Sequence, residues 1–139
     1  MAHQPGNEPV AEAEILYRRI PVSKGWYSSG GLSSQAFQPR DDETTGISFS
    51  RAKYKTVEEA AKGKGKQRYY VAEFVAGELT ANGIDVVPRP TLDDPGHAEL
   101  PGLTSENRDT PEELNRRQVL KGLVRAVRGP FIEPAGGAK

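Results

Sequence analysis

The 139-residue chain has two histidines, His3 and His97, and histidine is the side chain whose charge ordinarily changes near neutral pH. His3 falls in a stretch of Gln, Pro, Gly, Asn and Glu with little to bury, so the chemistry rests on His97. In His97-Ala98-Glu99-Leu100, strand alternation puts His97 and Glu99 on one face and Ala98 and Leu100 on the other. An imidazole and a carboxylate would then lie side by side, the one acid/base pair the sequence offers. His97 and Glu99 are therefore the catalytic candidates, against a structural reading in which His97 ties a turn together.

Two further groups of residues suit ligand binding. Arg18 and Arg19 lie in Glu14-Ile15-Leu16-Tyr17-Arg18-Arg19-Ile20-Pro21, which alternates as a strand with Ile15, Tyr17 and Arg19 on one face and Leu16, Arg18 and Ile20 on the other. An arginine on such a strand must reach solvent by its stem or find an anion, and the first outcome is the commoner one. Trp26 and Phe37 flank a loop rich in Ser and Gly, where aromatics serve either to plug a core edge or to stack on a ligand. Other chemistries find no support. There is no cysteine, which excludes disulfides, thiolate nucleophiles and Cys-based metal sites. A lone histidine near scattered aspartates is not a metal-ligand set, and no metal is expected. Gly30-Gly31 lacks the strand and helix of a phosphate loop, and Pro39 to Thr45 lacks calcium-loop spacing.

The element that must position His97 is Val86 to Leu103, VVPRPTLDDPGHAELPGL. Two β-branched residues run into a proline-punctuated turn, and the chain reverses so that His97 to Leu100 returns as a second short strand. Gly46-Ile47-Ser48-Phe49-Ser50 alternates apolar and hydroxyl residues and predicts a strand with Ile47 and Phe49 inward. Thr56-Val57-Glu58-Glu59 matches a capping box and starts a short helix through Ala61. Tyr69 to Leu79 fits both strand and helix spacing; a strand to about Ala76 is preferred. Thr110-Pro111-Glu112-Glu113 opens the clearest helix, amphipathic and basic, with Leu114, Val119, Leu120, Leu123, Val124 and Val127 in one stripe and Arg116, Arg117, Lys121, Arg125 and Arg128 elsewhere.

These pieces predict an α+β fold: a small, mostly antiparallel sheet of short strands with a short helix and a C-terminal amphipathic helix. Residues 1–12 are expected to be disordered, 13–128 to form a single domain, and 129–139 to be a flexible tail. The 19 basic and 19 acidic residues cancel, so a nucleic-acid or other anionic partner would need a local patch. No signal-peptide pattern opens the chain and no apolar run could span a bilayer, so a cytoplasmic protein without membrane contact is expected.

In LYRRIP at Leu16 to Pro21 followed by Trp26, SSQAF at Ser33 to Phe37, GISFS at Gly46 to Ser50 and the Val86 to Leu103 stretch, the chain resembles a set of small uncharacterised bacterial proteins, which implies no activity. More loosely, LYRR, SSQAF, GISFS and TVEEAA run in the order of ADP-ribosyltransferase-like and RES-type toxins. That likeness implies an NAD site in which Arg18 or Arg19 clamps the pyrophosphate, Tyr54 or Phe49 stacks on nicotinamide and Glu73 or Glu99 orients the ribose or the acceptor. The first expectation is a binding domain, an accessory or regulatory component with a protein partner. An NAD-consuming enzyme using Arg18 or Arg19 with His97 and Glu99 is the alternative, and nucleic-acid binding through the basic Lys62 to Arg68 loop and the C-terminal helix is a third. No cofactor is expected outside the NAD reading.

Overall fold

A computed structural model of the chain describes residues 5–29, 31–62 and 68–131. Strand β1 spans Ile15–Pro21, followed by a 3-10 turn and a small ribbon of β2 (Tyr27–Ser28) and β3 (Gly31–Leu32). A second 3-10 turn, Ser34–Phe37, leads to β4 (Ile47–Arg51), helix α1 (Val57–Ala60), β5 (Tyr69–Val75) and helix α2 (Ala76–Ala81). Then come β6 (Val87–Pro88), β7 (His97–Leu100), helix α3 (Pro111–Leu123) and β8 (Ala126–Phe131). Six strands make one sheet in the order β6-β7-β4-β1-β5-β8, every neighbouring pair antiparallel. The α+β class expected from the sequence is the class observed. No helix among the described residues is long and apolar enough to cross a membrane.

Alternation within each strand separates the faces of the sheet. The inner face carries Leu16, Ile20, Ile47, Phe49, Phe74 and Leu100, which bury with Phe37, Leu79, Leu103 and Leu120 in one cluster. Phe74 is the hub, edge-on to Phe37 at 5.6 Å and to Phe49 at 5.4 Å between ring centroids. The outer face carries a polar row in register: His97 opposite Ser50, Ser50 opposite Tyr17, and Tyr17 opposite Glu73. Glu99 lies opposite Ser48 on the same face. The short α1, whose Ala60 and Ala61 are buried, packs against β1 beside this row.

The helices start where their caps dictate. Thr56 accepts from the Glu59 amide at 3.1 Å while the Glu59 carboxylate accepts from the Thr56 amide at 2.9 Å, a reciprocal capping box. At α3, Thr110 accepts from the Glu113 amide and Pro111 begins the helix. The Tyr69 to Leu79 ambiguity resolves as both elements in succession, since β5 ends at Val75 and α2 begins at the next residue.

Three expectations change. The stretch 1–12 does not lie wholly outside the fold: among its described residues, Gly6, Glu8 and Pro9 are pinned by Arg51. That guanidinium is fully buried and donates to the Gly6 carbonyl at 2.9 Å, the Glu8 carbonyl at 3.1 Å and the Pro9 carbonyl at 3.4 Å. It also makes a two-pronged bond to the Glu14 carboxylate at 2.9 and 2.8 Å, and Tyr54 donates to Glu8 at 2.6 Å. A buried cation recruits every acceptor within reach, and the N-terminal backbone supplies three. Second, the C-terminal helix stops at Leu123. Val124 is extended, and β8 runs through Gly129 and Pro130 to Phe131, so the expected tail begins later; residues 132–139 lie outside the described set. Pairing with the open edge of β5 supplies backbone partners, among them Arg125 N to Glu73 O at 2.8 Å, that a longer helix would leave unmade. Third, α3 does not present Arg117 to solvent: its buried side is Glu113, Arg117 and Leu120, with Arg117 donating twice to Glu113 at 2.6 Å.

Candidate functional site

The register between β4 and β7 brings the site together. His97 and Glu99 project from the outer face of β7, and His97 Nε2 lies 3.1 Å from Glu99 Oε2, the side-by-side arrangement expected from their spacing. Glu99 is held on its other oxygen by the Thr45 hydroxyl at 2.7 Å and by Arg89 at 3.4 Å, so it fixes the imidazole rather than moving freely. On the opposite side of the ring, His97 Nδ1 faces Asp94 Oδ2 at 4.0 Å. The Asp94 amide donates to the Thr91 hydroxyl at 3.0 Å, closing the turn, and the Asp94 carboxylate pairs with Lys55 at 3.1 Å. Its second oxygen, Oδ1, is buried and has no hydrogen-bond partner among the described residues.

A cleft of about 250 Å³ opens here, lined by Tyr17, Ser48, Phe49, Ser50, Ala60 and His97 together with Arg18, Arg19, Arg40, Lys55, Lys62 and Asp94. Of its lining side chains five are basic and one, Asp94, is acidic. A second cleft of about 460 Å³ adjoins it, sharing Arg18, Arg19 and Arg40 and adding Trp26, Tyr69 and Arg108. It too sets five basic side chains against one acid, Asp41. In a chain whose charges cancel, this is a local concentration of cations.

The two neighbouring arginines have different fates because they lie on opposite faces of β1. Arg18 points inward and is satisfied there. It bonds Glu43 Oε2 at 3.0 Å, the Ser48 carbonyl at 3.1 Å, the Gln38 carbonyl at 3.4 Å and the Ala36 carbonyl at 3.5 Å. The expectation that an arginine here would reach solvent is corrected for Arg18, which finds an internal carboxylate while still bordering both clefts. Arg19 points outward, lies over the Tyr69 ring at 5.0 Å and donates to the Lys62 carbonyl. No carboxylate of the described residues comes within salt-bridge distance of it, and burial pushes its pKa down from the ordinary arginine value. A half-buried guanidinium with no carboxylate beside it among the described residues is chemically suited to an anion.

Of the residues singled out from the sequence, His97, Glu99 and Arg19 share the outer face, Glu99 supporting the cleft from behind His97, whereas Arg18 points inward and borders the cleft from the buried side of β1. Trp26 lines the second cleft while packing partly on the core. Phe37 does not take part: it is fully buried beside Phe74, so its candidacy as a ligand-stacking residue is corrected to a core role. Of the residues cast in the toxin-like scheme, Phe49 touches the first cleft but is 2% exposed and packed in the core, and Glu73 is bonded to Arg128. Tyr54 is taken up by Glu8. Sequence reasoning missed Tyr17, Ser48, Ser50, Lys55 and Arg40 as site residues. The alternation in GISFS showed that Ser48 and Ser50 share an outer face; which strands flank that face was not readable. Burial and the nearby Glu73 carboxylate raise the Tyr17 pKa above the ordinary tyrosine value. Among the described residues no group of His, Asp or Glu is arranged to hold a metal ion.

Searches against protein-family models, curated proteins and solved structures return no match for this chain.

Proposed function

We propose that the chain is a binding domain whose open sheet face receives a small anionic ligand, in keeping with an accessory or regulatory role. The observation that carries this reading is Arg19, a half-buried guanidinium with no carboxylate partner among the described residues, set where two cationic clefts meet. Tyr17, Ser48, Ser50 and His97 supply hydrogen-bond donors around it. Recognition by a protein partner through the C-terminal helix draws less support, because Glu113, Arg117 and Leu120 of α3 face inward. For nucleic acid, most of the basic loop after Lys62 lies outside the described residues.

Isothermal titration of inorganic pyrophosphate at low ionic strength tests the proposal, with Arg19→Gln as the variant. Saturable binding that weakens at least tenfold in Arg19→Gln, at unchanged melting temperature, is the expected result. No saturation at millimolar pyrophosphate, or equal affinity in the variant, overturns it.

A second reading, the NAD-consuming enzyme, is favoured by one observation: Arg18, Arg19 and His97 line a single cleft. Its test is nicotinamide release from NAD, compared with a His97→Ala variant. Absence of release with the fold intact removes it and leaves the binding reading in place.

A further inference from the structure

We infer that the second cleft seats a flat heteroaromatic ring joined to the anion, so that the ligand class is a nucleoside phosphate. The inference rests on the anion-binding reading of Arg19. Three features of the second cleft carry it.

The first is its lining. Trp26 and Tyr69 provide aromatic surface, and Pro21 and Pro39 provide rigid apolar surface, in a volume of about 460 Å³ that lies in the range of small-molecule sites. A flat π-system gains most from such walls, because stacking needs extended contact without directional bonds. The second feature is preorganisation. The Trp26 carbonyl accepts from the Ser33 amide at 2.7 Å, which fixes its backbone, and the side chain rests partly on the core before any ligand arrives. Tyr69 is covered on one side by the Arg19 guanidinium at 5.0 Å. Arg108 is fixed by the Pro39 carbonyl at 3.0 Å and by Asp41 at 2.8 Å. Gln38 and Asp41 add an acceptor and donor rim suited to ring nitrogens and exocyclic groups.

The third feature is continuity. Arg18, Arg19 and Arg40 border both clefts, so an anion at Arg19 sits at the mouth of the aromatic cleft. Only a ligand with a ring at one end and a phosphate next to it uses both. Pyrophosphate alone would leave the aromatic walls uncovered, and an uncharged ring would leave Arg19 without its counter-charge. The base would lie toward Trp26 and the phosphates at Arg19 and Arg40, with the sugar between them.

Trp26 is the single tryptophan of the chain, which makes its emission a direct reporter. The experiment titrates ADP, ribose 5-phosphate and inorganic pyrophosphate into the full chain, following Trp26 fluorescence and heat, with Trp26→Leu as the variant. ADP is expected to bind roughly tenfold or more tighter than either ring-free probe and to quench Trp26. In Trp26→Leu its affinity should fall to that of pyrophosphate, with pyrophosphate itself unchanged. Equal affinities for ADP and pyrophosphate with Trp26 emission unmoved overturn the ring site while leaving the anion site standing. Absence of binding by all three overturns both. If Trp26→Leu does not fold, the wild-type comparison of ADP quenching against pyrophosphate decides alone.

Discussion

Arg18 Nη1 lies 3.0 Å from Glu43 Oε2, and the two side chains are 7% and 2% exposed, so β1 is tied to the loop before β4 by an ion pair out of water. Glu43 also accepts from the Arg40 and Ser48 amides at 2.8 Å each, so both carboxylate oxygens are used. Removing one partner leaves the other as an uncompensated buried charge. Glu43→Ala should cost about 4 kcal/mol, read from urea unfolding. The double replacement Arg18→Met with Glu43→Leu should lose clearly less than the sum of the singles. Additive losses would mean the two side chains act independently.

Acid should loosen the N-terminal segment within a definite window. Hydrogen bonds from Lys53 and Tyr54 hold the Glu8 carboxyl down at about 2, against an ordinary value of 4.5. Burial would push Glu43 and Glu14 upward, but Arg18 and Arg51 respectively more than offset it, and both lie below the ordinary value. A carboxyl whose pKa is depressed on folding contributes stability that is fully present above 4.5 and is lost as pH falls through the folded value. The Gly6 amide donates to the Tyr54 hydroxyl, itself bonded to Glu8, and reports on this segment. Its exchange protection should hold at pH 5 and decline steeply as pH approaches about 2. Protection flat across that interval would show that Glu8 does not hold the segment.

Gly6 itself has no room for a side chain. Its φ is +90°, and a Cβ built there would come within 1.8 Å of the Pro95 carbonyl oxygen, two residues before His97. Gly6→Ala must displace either the N-terminal segment or the turn that carries Asp94, so it should lower stability and shift the His97 ring resonances. Gly25→Ala is the control, with φ of +69° but open space around it, and should cost only about 1 kcal/mol. Equal effects of the two substitutions would mean that backbone strain, and not the contact with Pro95, sets the loss.

The capping box of α1 bears on the cleft as well as on stability, because Ala60, the last residue of the helix, and Lys62, just beyond it, line the cleft. Thr56→Ala should destabilise by about 1 kcal/mol in thermal unfolding and weaken pyrophosphate binding, while Thr56→Ser should restore both. Weakened binding with unchanged stability would place the role of Thr56 in the ligand site instead.

Much of the local structure is decided within a few residues and was therefore legible. The alternation of GISFS made β4, the Thr56 and Glu59 spacing made α1, and Thr110-Pro111 began α3, each through contacts that close over short stretches of chain. The same held for the shared face of His97 and Glu99, which follows from the two-residue period of a strand. The end of α3 was not legible, since the stripe through Val124 and Val127 suits a helix equally well. The unpaired edge of β5, more than fifty residues earlier, drew that segment into β8.

What the sequence by itself determined is thus the α+β class, most element starts and the His97–Glu99 pair, all set by periodicity, caps and turns. Only the tertiary structure decided that Ser50 and Tyr17 lie in register beside His97, because strand order is set by pairing across long separations. It also decided that Arg18 faces Glu43 while Arg19 has no carboxylate within salt-bridge distance among the described residues, since both are arginines on one strand and differ only in what the fold brings to each face. The proposed anion site rests on that difference.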